Sequence, residues 1–519
     1  MRFDILSMKP RKSVHFSWHA RKTEYLSVGL AAVFFSIIVA LLLSLSIANM
    51  LRGPSSADDA WIALAAKNIS TGKGYATSLS GSELIQFDPF ISTGPTLVLP
   101  TALAIYVFGN AAWVPGAVQF CVFVALFALA TLLFIKRSGW PNALLYVSVL
   151  LLSLMAASVN NWYFGALLGE PVAFGFIFLG LAILAANKER WSALAAGFCF
   201  SLAALTKQIS IFPVIGIVCA WLAVVIYESS DRQLNIVKVF FAFLLGFLCP
   251  VVVFEGVKII ALGVGEYGRV IQSALDAAIK TDGGFNFNNR SDVFLDILFQ
   301  SYASPALAVI VIIALLFFLN LLNYGGVGRN VLVAKRVAAF AGAGATTHFV
   351  YILLASSNIW PRYLWIGIAL SFVAILASLL AVSNKQRNVL YVTLFMIIAL
   401  GGYRPIYELQ KQLVSDRVAS ERADVVSILD ANQKVPYAAQ YWSSIYDVVY
   451  LRRDEGDWGF GRAMQGLYGN KFIAIINNTH TDKTSTFFRS VEATCNPMKH
   501  YSNFELFECG QSFWLDYQS

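Results

Sequence analysis

Between Trp191 and Tyr227 the chain reads WSALAAGFCFSLAALTKQISIFPVIGIVCAWLAVVIY, an apolar stretch with one charged residue, Lys207. A single helix of that length would run roughly 55 Å, whereas the hydrocarbon core of a bilayer is about 30 Å thick. Two helices that turn near Lys207 fit a bilayer better. The stretch therefore predicts two membrane crossings with a lysine at the turn between them.

Similar apolar runs recur outward from this stretch in both directions. The chain has 519 residues, of which 58% are hydrophobic and only 13% are charged, about half the charged share of a soluble domain. Charge-free runs include Tyr25–Leu51, Pro89–Ile135, Ser138–Gly169 and Val337–Pro361. Since only helices and closed barrels satisfy their backbone groups in lipid, and no run alternates with period two, we expect an α-helical polytopic membrane protein. The first run is expected to be a retained helix rather than a removed signal peptide.

The basic residues indicate which side of the membrane each loop faces. Loops rich in lysine and arginine tend to stay in the cytoplasm, so the N-terminus is predicted to be cytoplasmic. The net charge of +8 is spread over short loops, which argues against a nucleic-acid-binding patch. The basic clusters are the N-terminal segment Arg2–Lys22, then Lys136–Arg137, Lys188–Arg190, Arg232–Lys238, Arg329–Arg336 and Lys385–Arg387.

If all these clusters are cytoplasmic, the chain crosses the membrane twice between successive clusters. Pro89–Ile135 then supplies only one crossing, and its first part, which Pro95, Pro100 and Gly109 interrupt, is predicted to lie as a helix at the outer interface. About eleven crossings result: 25–48, 111–135, 140–158, 171–187, 191–206, 208–227, 239–262, 303–322, 337–355, 363–382 and 389–402.

Two regions follow from this plan. Residues 1–402 form a transmembrane module whose first external loop spans 49–110, and residues 403–519 form a small external α/β domain. Its predicted strands are Val435–Gln440, Lys471–Ile476 and Phe504–Glu508. Cys495 and Cys509 lie in this domain, where an oxidising compartment permits a disulfide, although two cysteines alone do not establish a pairing. The cysteines within spans are expected to be packing residues, and they are Cys121, Cys199, Cys219 and Cys249.

The first external loop carries an adjacent pair of acids, Asp58 and Asp59, after Ser55 and Ser56. A serine cap followed by two acids is typical of an ordinary helix start. The functional interpretation is that one carboxylate acts as a general base and removes a proton from an acceptor hydroxyl. Both roles are compatible, because the start of a helix holds a carboxylate in a fixed position.

Two cations stand at other outer turns. Lys207 either snorkels to lipid headgroups or holds and stabilises the phosphate of a lipid carrier. Arg362 either anchors the chain at the interface beside aromatic residues or binds the same phosphate in bidentate geometry.

Two further residues are candidates for substrate binding. Glu170 is the only charge in its turn, and it either orients a sugar or acceptor hydroxyl or is an ordinary loop acid. His348 falls within a predicted span, where an ionisable group is costly enough to suggest a role. Its alternative is a hydrogen bond to a neighbouring helix. The sequence contains no zinc-ligand spacing, glycine-rich phosphate loop or hydrolase nucleophile elbow.

Several motifs together resemble one family. The stretch from Asp58 to Tyr75, DDAWIALAAKNISTGKGY, is similar to the acidic pair, helix and glycine-containing end of the first loop in the GT-C glycosyltransferase superfamily. This superfamily includes protein mannosyltransferases and lipid A aminoarabinose transferases. The resemblance is good over about 25–230 and later rests on pattern only. Further matching segments are Ser92–Pro95 with Pro100 and Phe108–Gly109, Leu205–Lys207, and Pro361–Leu364.

The resemblance implies an inverting transferase of the bacterial inner membrane whose site faces the periplasm. Asp58 would be the base, Lys207 and Arg362 would contact the phosphate of a polyprenyl-phosphate-sugar donor, and no metal cofactor would be needed. The acceptor would be a glycan, a lipid or a protein. Asp59 replaces the more usual Glu of the acidic pair. Two departures bear on the sugar and carrier contacts: Glu170 stands where Asp is frequent, and the common K-G-P is here Lys207-Gln208-Ile209.

Two other functions stay open from the sequence. One is a glycan ligase or oligosaccharyltransferase that uses a lipid-diphosphate donor, for which a divalent metal ion is an expected requirement. The other is a transporter or lipid flippase, which predicts repeated halves and charges near the middle of the membrane. The one-sided charges and the large external domain favour the transferase.

Overall fold

The computed structural model describes most of the chain between residues 18 and 513. The described residues are 18–53, 57–77, 84–88, 91, 93–138, 140–156, 164–186, 189–228, 233–280, 329–354, 361–381, 417–432, 435–439, 456–458, 471–477, 486–502, 504–510 and 513.

Helices dominate the described residues up to 381. They are α1 (Trp18–Arg52), α2 (Ala57–Ser70), α3 (Pro95–Phe108), α4 (Val114–Ser138), α5 (Trp140–Ala156), α6 (Glu170–Ala186), α7 (Arg190–Thr206), α8 (Ile211–Glu228), α9 (Gln233–Leu262), α10 (Val264–Lys280), α11 (Arg329–Leu354) and α12 (Pro361–Ala381). A short 3₁₀ turn, Gln208–Ser210, joins α7 to α8.

The apolar helices make the chain a multi-pass membrane protein. Within the described ranges, five helices are long and apolar enough to cross a bilayer, and α6, α7 and α12 contribute shorter apolar helices. Every predicted crossing that falls within these ranges coincides with a helix. The predicted crossings 303–322 and 389–402 lie outside the described residues, so the total of about eleven stays a prediction. The five candidate spans are Ala32–Leu51, Val114–Leu133, Gln208–Tyr227, Ile236–Leu262 and Leu332–Leu354.

Glycines let the helices approach closely. Between α7 and α9, a Cβ added at Gly197 would lie 2.2 Å from the carbonyl oxygen of Phe243, and one at Gly246 would lie 2.1 Å from that of Leu194. Between α8 and α11, a Cβ at Gly216 would lie 2.2 Å from Thr347 Oγ1. Small residues serve helix contacts inside a membrane because dispersion between close backbones replaces the hydrophobic effect there.

The first external loop folds between α1 and α4. After α2, the strands β1 (Ala76–Thr77) and β2 (Ile85–Gln86) pair antiparallel and lead to α3. One face of α3 is buried, while the other exposes large apolar side chains such as Leu103 and Tyr106. A helix that is apolar on its exposed face as well is consistent with the predicted position at the membrane interface.

One helix was not predicted, and one prediction about side chains was wrong. Residues 263–302, between the predicted crossings 239–262 and 303–322, were expected to form an external loop, and α10 lies within it, directly after Gly263. The cysteines in the spans were expected to be packing residues. Only Cys199 is buried, whereas Cys121, Cys219 and Cys249 are exposed, because they lie on helix faces that the described parts of the protein do not cover.

The described residues from 417 onward form a three-layer α/β arrangement. A five-stranded sheet has the order β4-β3-β5-β7-β6, in which β3 pairs parallel with β4 and β5 while the other pairs are antiparallel. Strands β3, β5 and β7 occur where the sequence predicted strands. The elements are α13 (Arg417–Ala431), β3 (Tyr437–Ala439), β4 (Gly456–Trp458), β5 (Lys471–Asn477), α14 (Thr486–Thr494), β6 (Asn496–His500) and β7 (Phe504–Gly510).

Alternation along β5 places helices on both faces of this sheet. Phe472 packs on the side of α14, and the next residue, Ile473, packs on the side of α13, as a side-chain period of two requires. A disulfide joins Cys495 to Cys509 within the first of these clusters, which answers the question of pairing that the sequence left open.

Candidate active site

The acidic pair of the first loop lies in the first turn of α2. Asp58 is 20% exposed and forms an ion pair with Arg362, whose side chain is 17% exposed. Asp59 is buried, because consecutive residues of a helix point about 100° apart. The structure therefore presents Asp58, and not Asp59, on the accessible side of this helix. The expected serine caps, Ser55 and Ser56, lie outside the described residues.

Arg362 is the second residue of α12, directly after Pro361. Its guanidinium contacts Asp58 through Nη2 and lies 5.3 Å above the ring centre of Tyr363. The free N–H groups at the start of a helix attract anions, and a guanidinium adds a full charge with fixed donor geometry. This end of α12 is suited to bind an anionic group.

Glu170 and Lys207 form a second ion pair, which is sealed from solvent. Lys207 Nζ lies 3.2 Å from Glu170 Oε1, and the two side chains are 2% and 0% exposed. The same Nζ donates a hydrogen bond to the carbonyl oxygen of Leu168 at 3.0 Å. In this structure Lys207 is therefore engaged with protein groups, and contact with a lipid phosphate would require it to exchange those partners.

The turn at Lys207 is held by the start of α3. Lys207 has an extended backbone between α7 and the 3₁₀ turn, and it forms an antiparallel bridge with Thr93. The Thr93 hydroxyl donates to the Leu168 carbonyl at 2.8 Å, and the Gly94 N–H donates to the Thr206 carbonyl at 2.9 Å. A Cβ at Gly94 would lie 1.8 Å from the carbonyl oxygen of Leu205, so this close contact requires glycine.

The two ion pairs lie close enough to interact. Both Asp58 and Glu170 act electrostatically on the guanidinium of Arg362. The structure thus brings together four residues predicted from separate loops: Asp58 from the first loop, Glu170 and Lys207 from the next two turns, and Arg362 from the start of α12. The partly exposed pair Asp58–Arg362 therefore lies near the buried, mutually neutralising pair Glu170–Lys207.

His348 lies apart from these charges. It is fully buried in α11, and its Nε2 is 2.6 Å from the carbonyl oxygen of Tyr363 in α12. Of the two interpretations that the sequence left open, the observed contact is the hydrogen bond to a neighbouring helix.

Several polar residues of this region were not predicted. Gln119, a buried amide in the second turn of the apolar helix α4, accepts a hydrogen bond from the Gly169 N–H at 2.8 Å. Thr77 donates to the buried carboxylate of Asp88 at 2.5 Å in the first loop. A lone amide within an apolar run was a usable signal for Gln119, because buried polar groups require partners. Within the described ranges, His, Cys, Asp and Glu side chains nowhere form a group of three that could hold a metal ion.

Comparison with solved structures identifies the fold. ArnT from Cupriavidus metallidurans in the apo state matches with a TM-score of 0.57 and 12% identity, over 95% of this chain and 99% of ArnT. The same protein bound to undecaprenyl phosphate matches with a TM-score of 0.58 and 11% identity, over 94% of this chain and 99% of ArnT. No protein-family model and no curated protein matches the sequence. The chain therefore has the fold of ArnT, in agreement with the resemblance of its first-loop and turn motifs to the GT-C transferases.

Proposed function

We propose that this chain is a membrane glycosyltransferase that moves a sugar from a polyprenyl-phosphate carrier to an acceptor hydroxyl. The observation that carries the proposal is the accessible Asp58–Arg362 pair at the meeting point of the first loop and α12. A carboxylate and a guanidinium in contact supply the two groups that such a transfer needs, a base for the nucleophile and a cation for the leaving phosphate. The fold it shares with ArnT, which has been solved with undecaprenyl phosphate, supports a lipid of this class.

In the proposed reaction Asp58 takes the proton of the acceptor hydroxyl. The resulting oxygen nucleophile attacks the anomeric carbon of the sugar, and the bond from that carbon to the phosphate oxygen breaks. Polyprenyl phosphate leaves as an anion beside Arg362. A single displacement of this kind inverts the configuration at the anomeric carbon. The acceptor would be a cell-surface glycan, a lipid or a protein.

The contact between Asp58 and Arg362 links binding of the donor to the state of the catalytic base. In the ion pair the Asp58 carboxylate contacts Arg362 Nη2, so it must leave the guanidinium before it can accept the proton of an acceptor hydroxyl. An arriving phosphate competes with Asp58 for Arg362. Exchange of partners at Arg362 would then release Asp58 at the moment when the donor is in place.

The other candidate residues take supporting roles in this proposal. Lys207 is neutralised by Glu170 and contacts the phosphate only if it leaves that carboxylate. Glu170 holds Lys207 in place and forms part of the wall of the substrate site. Asp59 anchors the first turn of α2, from which Asp58 points outward.

We place this chemistry on the periplasmic face of a bacterial inner membrane, with the N-terminus in the cytoplasm and residues 403–519 in the periplasm. The disulfide between Cys495 and Cys509 supports that side for the C-terminal residues, since such bonds persist in oxidising compartments. The distribution of basic residues supports it for the loops.

The substitution Asp58→Asn tests the base. Asparagine keeps the size of the side chain but cannot take a proton, so we expect transfer to fall at least about 100-fold. Arg362 would lose its competing carboxylate, so binding of undecaprenyl phosphate to the purified protein should tighten about two- to fivefold, the worth of a partly exposed ion pair. Glu266→Gln is the matched control, because Glu266 is an exposed acid of α10.

The readout begins with mass analysis of surface glycans from cells that lack the protein. The species that disappears identifies the product, and the variants are then returned to those cells. Normal amounts of product with Asp58→Asn would refute the assignment of the base. Loss of product with Glu266→Gln would show that the assay responds to general damage.

A further inference from the structure

The first turn of α12 receives a hydrogen bond from outside its own helix. His348 Nε2 of α11 lies 2.6 Å from the carbonyl oxygen of Tyr363. A carbonyl oxygen only accepts hydrogen bonds, so Nε2 carries the proton in this contact. The imidazole is fully buried, and its Nδ1 has no hydrogen-bond partner within the described ranges. The ring therefore makes one directed bond, and that bond is to the backbone of α12.

The backbone of α12 is shaped to admit this ring. A Cβ added at Gly367, one turn after Tyr363, would lie 2.8 Å from His348 Cδ2 and 2.8 Å from Phe349 Cε1. Any larger residue at 367 would displace the rings of His348 and Phe349. The hydrogen bond and the glycine together fix how the imidazole lies against this end of α12.

The fixed turn carries the cation of the candidate active site. Arg362 is the residue before Tyr363, and its guanidinium lies over the Tyr363 ring and contacts Asp58. A shift of the turn moves Arg362 relative to Asp58 and to any phosphate between them. Errors of about 1 Å in such a constellation cost on the order of 100-fold in rate.

We propose that His348 is a positioning residue that holds the first turn of α12 and so aims Arg362 at the donor phosphate. The inference rests on the proposed function, in which Arg362 receives that phosphate. It gives His348 an indirect role, without contact to the substrate.

A double-mutant cycle tests the proposal with undecaprenyl phosphate as the probe. We compare its affinity for the purified protein, for His348→Leu, for Arg362→Gln and for the double variant. If His348 acts through Arg362, His348→Leu weakens binding about tenfold when Arg362 is present and has no effect when it is absent. His348→Gln, which keeps an N–H donor at similar reach, should restore most of the affinity.

The outcomes separate the two claims. Equal weakening by His348→Leu with and without Arg362, or no weakening at all, would overturn the positioning role alone. Unchanged affinity in Arg362→Gln would overturn the phosphate site of the proposed function, and the inference with it. If His348→Leu fails to fold, the same cycle is run with Gly367→Ala, which displaces the ring by adding one methyl group.

Discussion

The two ion pairs of the candidate active site differ in how far water reaches them. Lys207 and Glu170 are almost fully enclosed, whereas Arg362 and Asp58 are each about one-fifth exposed. Removal of one partner from a buried pair leaves an uncompensated charge, while an exposed pair exchanges partners at small cost. The stability of the protein should therefore depend on the Lys207–Glu170 pair. Exchange of partners with the substrate should involve the Arg362–Asp58 pair.

The substitution Lys207→Ala separates these roles. It leaves the Glu170 carboxylate buried without its cation, so we expect a loss of about 3–5 kcal/mol, seen as a large drop in melting temperature in detergent. Lys207→Met with Glu170→Gln should recover much of it, since both charges are gone. Lys258→Ala is the control, because the Lys258–Glu255 pair is partly exposed and should contribute at most about 1 kcal/mol.

A different result for Lys207→Ala would show that Lys207 binds the phosphate of the donor directly. If Lys207→Ala leaves the melting temperature unchanged and weakens undecaprenyl phosphate binding, the lysine leaves Glu170 readily and binds phosphate directly.

Among single residues, the sequence predicted which charged side chains would lie near one another better than it predicted their partners. The residues expected at the outer boundary, from the distribution of lysine and arginine among the loops, were Asp58, Asp59, Glu170, Lys207 and Arg362. Which acid meets which cation depends on the arrangement of helices in space, and spacing along the chain does not contain it. For His348 the cost of a buried imidazole predicted a partner but did not identify the Tyr363 carbonyl.

Helix starts place the charges of this site, and the start of α3 depends on one glycine. Gly94 donates to the Thr206 carbonyl, and its α-carbon packs against the end of α7. Gly94→Ala would place a methyl group 1.8 Å from the carbonyl oxygen of Leu205, so backbone must move. We expect a loss of roughly 1–3 kcal/mol and reduced transfer, because the turn that carries Lys207 shifts.

Gly256→Ala is the matched control for that substitution. Gly256 lies in α9, and an added Cβ there would meet no atom within 4 Å. Alanine favours a helix interior by about 1 kcal/mol over glycine, so the melting temperature should stay the same or rise. Equal melting temperatures and activities for Gly94→Ala and the unchanged protein would show that the contact between α3 and α7 yields easily.

The elements were predictable where one signal dominated. Within the described ranges, long apolar runs between basic clusters coincide with helices, because the bilayer requires long apolar segments, although α11 begins at Arg329 where the crossing was predicted from residue 337. The helix α10 was missed since charged residues divide its apolar positions, and it was taken for loop. Strand β6 was missed because Pro497 argues against a strand, and β4 because three residues give too little pattern.

On the scale of the whole molecule, the proposed function requires one aqueous compartment for the first loop and the turn after α7. The contacts from Thr93 and Gly94 to Lys207 and Thr206 already hold these segments together. The side of the membrane is a separate question, which the charge distribution predicts as external. Labelling of introduced cysteines with a membrane-impermeant maleimide answers it.

Suitable positions are exposed and lie beside the site rather than in it. Thr71 directly follows α2, and Gln208 directly follows Lys207. Glu189 lies between the end of α6 and the start of α7, so α7 separates it from Gln208. The free cysteines of the spans are first replaced by alanine. From outside the cytoplasmic membrane, cysteines at 71 and 208 should react, and a cysteine at 189 should react only after the membrane is opened. Because α7 is one apolar helix between 189 and 208, those two positions serve as each other's control.

The proposed site would be refuted if cysteines at 71 and 208 react from opposite sides of the membrane. Asp58 and Lys207 would then face different aqueous compartments, and a transferase site built from both residues would be impossible.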